Sequence, residues 1–256
     1  MKIRYYLLIG IVSYLLFTLI NTPAATVLSL VENQVSLPVK FYGVQGTIWQ
    51  GQTDRLMMQG GPPIDNLHWK LQPAALFTAS IAADVQAQVK QQNVIGHVRV
   101  NSSGDIEASD LRARLEASAV QQLAAIPFGQ LGGVFNIDIA SLQVSQQSIP
   151  QADGRISWKN ARLTMMETVD LGEVLFELKP GEQDSLDLVV SNKGGDISIS
   201  GRAKVLANKR YTVDINLTPQ RSASANVTQS LGMFARRQSN GSYLFKQSGS
   251  LQQLGL

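Results

Sequence analysis

The sequence predicts a mainly β protein in which an N-terminal transmembrane helix precedes a duplicated, curved antiparallel β-sheet domain with one short helix per half. Three observations carry that reading. Beyond residue 40, apolar and polar residues alternate with period two over many short runs. Those runs are bounded by Gly, Pro, Asn and Asp clusters that reverse a chain. A motif cassette also recurs after about 108 residues, a spacing far longer than that of a solenoid repeat.

The first element is hydrophobic. Tyr5 to Ile20 is an apolar run broken only by Gly10, Ser13 and Thr18, and Lys2 and Arg4 precede it. A span of residues 5–25 is long enough for a membrane anchor. Its membrane-anchor residues are Tyr5, Tyr6, Leu7, Leu8, Ile9, Ile11, Val12, Leu15, Leu16, Phe17, Leu19 and Ile20. A cleaved signal peptide is the alternative, but Pro23 spoils the small-x-small pattern that cleavage needs. Basic flanks stay cytoplasmic, so Lys2 and Arg4 place residues 1–4 inside and everything after the span outside the cytoplasm. Residues 26–40 read as a linker.

The remaining chain divides into two β-rich halves, 41–145 and 146–256, of one continuous domain. Alternation marks strands at Val85 to Val89, Val98 to Val100, Val134 to Ile139, Leu186 to Val190, Ile197 to Ile199 and Val213 to Leu217. Turns fall at Gly60-Gly61-Pro62-Pro63, Asn101 to Asp105, Lys179-Pro180-Gly181, Asn192 to Gly195 and Ser239-Asn240-Gly241. Two stretches break the period. Leu111, Leu115, Ala119, Leu123 and Ile126 have helical spacing and stop at Pro127, and Ser224, Val227, Leu231 and Phe234 form a weaker counterpart. Each helix precedes a returning strand, and its apolar face needs a sheet to cover.

The cassette links the halves. Gly46, Trp49 and Gly51, then Leu67, Trp69 and Pro73, are answered by Gly154 and Trp158, then Pro180. Tryptophans so placed are expected to be core anchors, each burying on the order of 200 Å²; a carbohydrate or peptide platform is the functional alternative.

Composition narrows the chemistry. The chain has 256 residues, 44% hydrophobic and 16% charged, and no cysteine, which removes thiol catalysis, thiolate metal sites and disulfides. The net charge is +3, of which Lys2 and Arg4 supply two, so the remainder has no field suited to nucleic acid. His68 and His97 are too few for a His-based metal site. Nucleophile elbows, phosphate loops and His-Glu-x-x-His are absent from the sequence. Asp105 and Glu107 share a strand pattern but fit edge charges better than an acid/base pair. No enzyme, no cofactor and no metal are expected.

The order of these motifs resembles a known family. The basic N-terminus and anchor, Gly46-x-Ile48-Trp49-x-Gly51, Leu67-x-Trp69-x-Leu71-x-Pro73, Pro127-Phe-Gly129-x-Leu-Gly-Gly133 and Gly154-Arg-Ile-Ser-Trp158 are similar to protein N of the bacterial type II (general) secretion pathway, over essentially the whole chain. The resemblance implies a non-catalytic, single-pass inner-membrane protein with its bulk in the periplasm. Its implied partners are other inner-membrane or secretin components of the machine that exports folded proteins across the outer membrane. A more distant similarity to AsmA-like β-groove proteins implies the alternative, a groove that binds or passes a lipid or acyl chain; a small-molecule ligand is not expected.

Overall fold

The computed structural model describes residues 2–34, 39–58, 61–124, 126, 129–145, 148–165 and 167–251. Pro127, which the sequence makes the end of a helix, lies outside them, as do the side chains of Lys2, Arg4 and Leu16.

The chain opens with two helices, α1 (Lys2–Ile20) and α2 (Ala24–Gln34). All the described apolar side chains of α1 are exposed. The helix stops at Ile20 and does not continue to residue 25. Asn21 sends both its backbone N–H and its side-chain amide (2.8 Å) to the Phe17 carbonyl, and Pro23 has no N–H with which to continue the ladder. Pro23 instead makes an isolated antiparallel bridge to Thr47, and α2 occupies most of the expected linker. Among the described residues no helix is long and apolar enough to cross a membrane. The run from Tyr5 to Ile20 measures about 24 Å at the helical rise, against a hydrocarbon core of about 30 Å.

Beyond α2 the chain is almost entirely strand: β1 (Val39–Tyr42), β2 (Gln45–Gly46), β3 (Gln50–Met58), β4 (Ile64–Leu71), the 3₁₀ turn η1 (Pro73–Thr78), β5 (Ser80–Val89), β6 (Gln92–Asn101) and β7 (Ile106–Glu116). Helix α3 (Ala117–Leu123) leads into β8 (Gln130–Val144), β9 (Gln151–Thr164), β10 (Thr168–Pro180), β11 (Leu186–Lys193), β12 (Ile197–Val205) and β13 (Arg210–Pro219). Helix α4 (Ala225–Phe234), the two-residue β14 (Arg236–Arg237) and β15 (Tyr243–Ser250) complete the described chain. All fifteen strands belong to one antiparallel sheet, and apart from β2 and β14 their spatial order is their sequence order. Short turns between alternating runs dictate this meander, because a hairpin returns the chain beside the strand it has just left.

Residues directly opposite one another in the ladder share a face. One face therefore collects Trp69, Val85, Val98, Leu111, Ile139, Ile156, Phe176, Val190, Ile215 and Phe245. The other carries the ion pairs Arg55–Asp65, Arg112–Asp138, Arg155–Glu177, Lys204–Asp187 and Lys246–Asp214. A sheet with one dry and one wet face is what period-two alternation specifies.

The core lies on the dry face, where the helices cover it. Ala117 of α3 packs with Phe135, Trp158, Ala161, Val174 and Val190, and Ala119 packs with Val89 and Leu115. Val227 and Leu231 of α4 pack with Ile197, Ala235 and Tyr243. Ser224 caps α4, its hydroxyl accepting from the Val227 N–H at 3.2 Å.

The α3 helix is half the length its spacing suggests. Leu111 and Leu115 are strand residues of β7, and only Ala117 to Leu123 is helical. A separation of four residues repeats on one side of a helix and equally on one face of a strand, and pairing of Leu111 with Ile139 and Leu115 with Phe135 decides between them.

The duplicated cassette does not map onto equivalent places. Trp49 lies in the bend before β3 whereas Trp158 is inside β9, and Pro73 opens η1 whereas Pro180 closes β10. What the two halves share is one helix each, α3 and α4, joining two strands of the sheet.

Candidate interaction surfaces

The first motif cluster is an attachment point for the helical N-terminus. Trp49 is half-buried, and its indole Nε1–H donates to the Leu19 carbonyl at 2.8 Å. The Ile48 N–H donates to the Thr22 carbonyl at 3.1 Å. Trp69 Nε1–H donates to the Ile48 carbonyl at 3.1 Å, and the Leu71 N–H donates to the Trp49 carbonyl at 2.7 Å. Both tryptophans thus use the polar end of the indole to tie the turn after α1 to β3 and β4.

The glycines serve that arrangement. Gly51 is paired with Trp69, and a Cβ on Gly51 would run into the indole ring and come 2.7 Å from the Gln45 carbonyl. Gly46, at φ +85°, ends β2 and starts the tight turn into β3. Leu67 sits across from the fully buried Thr53, whose hydroxyl donates to the Tyr42 carbonyl at 2.6 Å. Pro73 is exposed at the start of η1.

The second cluster lies elsewhere in the sheet. Trp158 is 7% exposed, stacks on Phe135 with ring centroids 4.9 Å apart and donates from Nε1 to the Gly132 carbonyl at 2.9 Å. It is the only one of the three tryptophans in the buried core; Trp49, expected there from the sequence, is not, because it precedes the first long strand and has α1 on one side. Gly154 of β9 is held between Ile139 and Leu178, and Pro180 is exposed at the end of β10.

Sequence spacing does not show that Asp84, His97 and Ser109 stand in register on β5, β6 and β7. The Asp84 carboxylate and His97 Nδ1 are hydrogen-bonded, which resembles part of an acyl-transfer triad. Among the described residues no hydrogen bond joins Ser109 to His97, and all three side chains stand on the wet face. His68 is exposed on β4. Asp105 is held below the usual carboxylate range by hydrogen bonds from Ser145 and Asn101, a turn-stabilising arrangement that joins the β6–β7 turn to the end of β8. Among the described residues no group of three His, Asp or Glu is placed to hold a metal ion.

The sheet offers two edges. Among the described residues nothing pairs with the outer side of β1, and β14 covers only Tyr243 and Leu244 of β15. Arg236 and Arg237 form that short edge strand.

The family model described as "Type II secretion system (T2SS), protein N" matches residues 38–246, the whole sheet up to β15. The type II secretion system protein N of Vibrio cholerae serotype O1 is 24% identical over 246 residues, covering 91% of this chain and 92% of that protein. No solved structure matches the chain.

Proposed function

Because the chain belongs to the type II secretion system protein N family, we propose that it is a non-catalytic, inner-membrane-anchored periplasmic component of that system, assisting export of folded proteins across the outer membrane through contacts with other machine components. The observation that carries this reading is that the family match covers a single sheet with an open edge at β1 and a largely open edge at β15. An unpaired strand edge is a template for strand addition, a way for a sheet to recruit another chain without a pocket.

Anchoring through α1 is supported by its exposed apolar surface and by Lys2 and Arg4 at its start, which keep the N-terminus cytoplasmic under the positive-inside rule. The short apolar run is accommodated if Asn21 to Ala25 lie in the headgroup region. A reporter fused after Leu256 is expected to be active only outside the cytoplasm; activity in the cytoplasm alone would sink the topology.

The assembly role is tested by photo-crosslinking in native membranes, from probes near Gly51 and Gly195 and on the outer side of β1. Capture of inner-membrane or secretin components of the secretion system is the expected result. Capture of phospholipid or lipopolysaccharide alone would favour the second reading, in which the dry face binds or passes an acyl chain. That reading draws on one observation: α3 covers the dry face at Val89, whereas Trp69, Val85 and Val98 farther along it are only half-buried.

A further inference from the structure

A patch of exposed apolar residues at one rim of the sheet has no role in the core. Phe77 is 94% exposed and Leu76 51% exposed, both on η1. Beside them Ile81, Val100, Ile106 and Val144 stand in one row across β5 to β8, each opposite the next in the ladder, with exposures of 56%, 37%, 44% and 38%. Water is a poor solvent for six such neighbours, and contiguous apolar patches mark surfaces that meet something else.

We infer that this rim rests in the surface of the lipid bilayer beside the anchor, as a second membrane attachment. The inference rests on α1 being a membrane anchor and adds a contact that anchoring alone does not contain. Three features select a bilayer as the occupant.

The first is continuity. The Leu19 carbonyl accepts from Trp49, the Trp49 carbonyl accepts from Leu71, and η1 begins two residues later. The exposed apolar rim therefore lies at the point where the exposed apolar helix leaves the sheet.

The second is charge. From Gln72 to Ser80 the sequence QPAALFTAS has no ionisable side chain, so nothing there resists entry into a medium of low dielectric.

The third is the internal closure of polar groups. The Ala75 N–H donates to the Gln72 carbonyl and the Ala79 N–H to that of Leu76, while the Thr78 and Ser80 hydroxyls both donate to the Ala75 carbonyl at 2.8 and 3.0 Å. A loop that satisfies its own polar atoms and leaves leucine and phenylalanine outward meets the requirement for backbone at membrane depth.

The absence of cysteine makes the test clean. Single-cysteine variants F77C and I81C, with S13C on α1 and M233C on α4 at the opposite end of the strands, are labelled with an environment-sensitive fluorophore in the full chain. The protein is then reconstituted into phosphatidylethanolamine–phosphatidylglycerol vesicles. The expected result is a blue-shifted emission at F77C and I81C that nitroxide-bearing lipid quenches as it does at S13C, with M233C quenched only by aqueous iodide. Lipid quenching at S13C but iodide quenching at F77C and I81C would overturn the rim contact and leave the anchor standing. Iodide quenching at S13C as well would overturn both. Protection of F77C from lipid and iodide alike would show a protein surface, such as a second copy, over the rim and would also overturn the inference.

Discussion

Replacing Trp158 with alanine tests whether the core lies where helix α3 meets the middle of the sheet. The indole is 7% exposed, and its neighbours on the dry face are Phe135 and Val174, directly across the ladder, with Ala117 and Ala161 in the same cluster. Truncating a buried Trp to Ala removes its transfer free energy and leaves a cavity, together costing about 3–5 kcal/mol. The stack on Phe135 and the Nε1–H bond to the Gly132 carbonyl are both lost with it. In a chain of this size each kcal/mol moves the melting midpoint by about 2–4 °C, so the variant is expected to melt roughly 6–20 °C lower. W158F separates the contributions: the ring stack survives, the hydrogen bond does not, and the expected loss is about 1–2 kcal/mol. W49A is the control, because it removes a half-buried ring outside the core; its global unfolding is expected to fall by less than that of W158A. Denaturant unfolding of the full chain, followed by far-ultraviolet circular dichroism, measures all three. A W49A loss equal to or larger than that of W158A would refute the placement of the core.

Three other outcomes are expected from the geometry. G51V must displace the Trp69 ring or the β2 carbonyl, so strain of about 1–3 kcal/mol is expected, and near-native stability would contradict the close contact. S224A removes the cap of α4 and its bond to Glu167, and a loss of about 0.5–2 kcal/mol is expected, with S224T retaining most of the stability. The Asp105 carboxylate, lowered by Ser145 and Asn101, stabilises the fold most fully above its unfolded value of about 4, and that contribution disappears as pH falls through the lower folded value. Wild type is therefore expected to exceed D105A in stability near neutrality and to converge with it in acid; a gap independent of pH would exclude the charged carboxylate as its source.

The local properties of the chain determine its strands. Alternation at Val85 to Val89, Val134 to Ile139, Leu186 to Val190 and Val213 to Leu217 is sufficient because a strand side chain has only two directions to point, and one of them is dry. The α4 helix is legible for a similar reason: Ser224 supplies a cap, and Val227 and Leu231 lie one turn apart. The exposed apolar helix α1 is equally a property of consecutive residues.

Tertiary structure decides what local pattern leaves degenerate. Leu111 and Leu115 fit both a helix and a strand, and only pairing with β8 resolves them. Trp49 and Trp158 have similar sequence neighbourhoods but different surroundings, since one meets the end of α1 and the other is covered from both flanks by strands. The row from Ile81 to Val144 draws on residues up to 63 positions apart (144 minus 81), and the Asp84–His97 pair on two different strands. Burial and register are set by contacts between residues distant in sequence, and no short window along the chain contains both partners of such a contact.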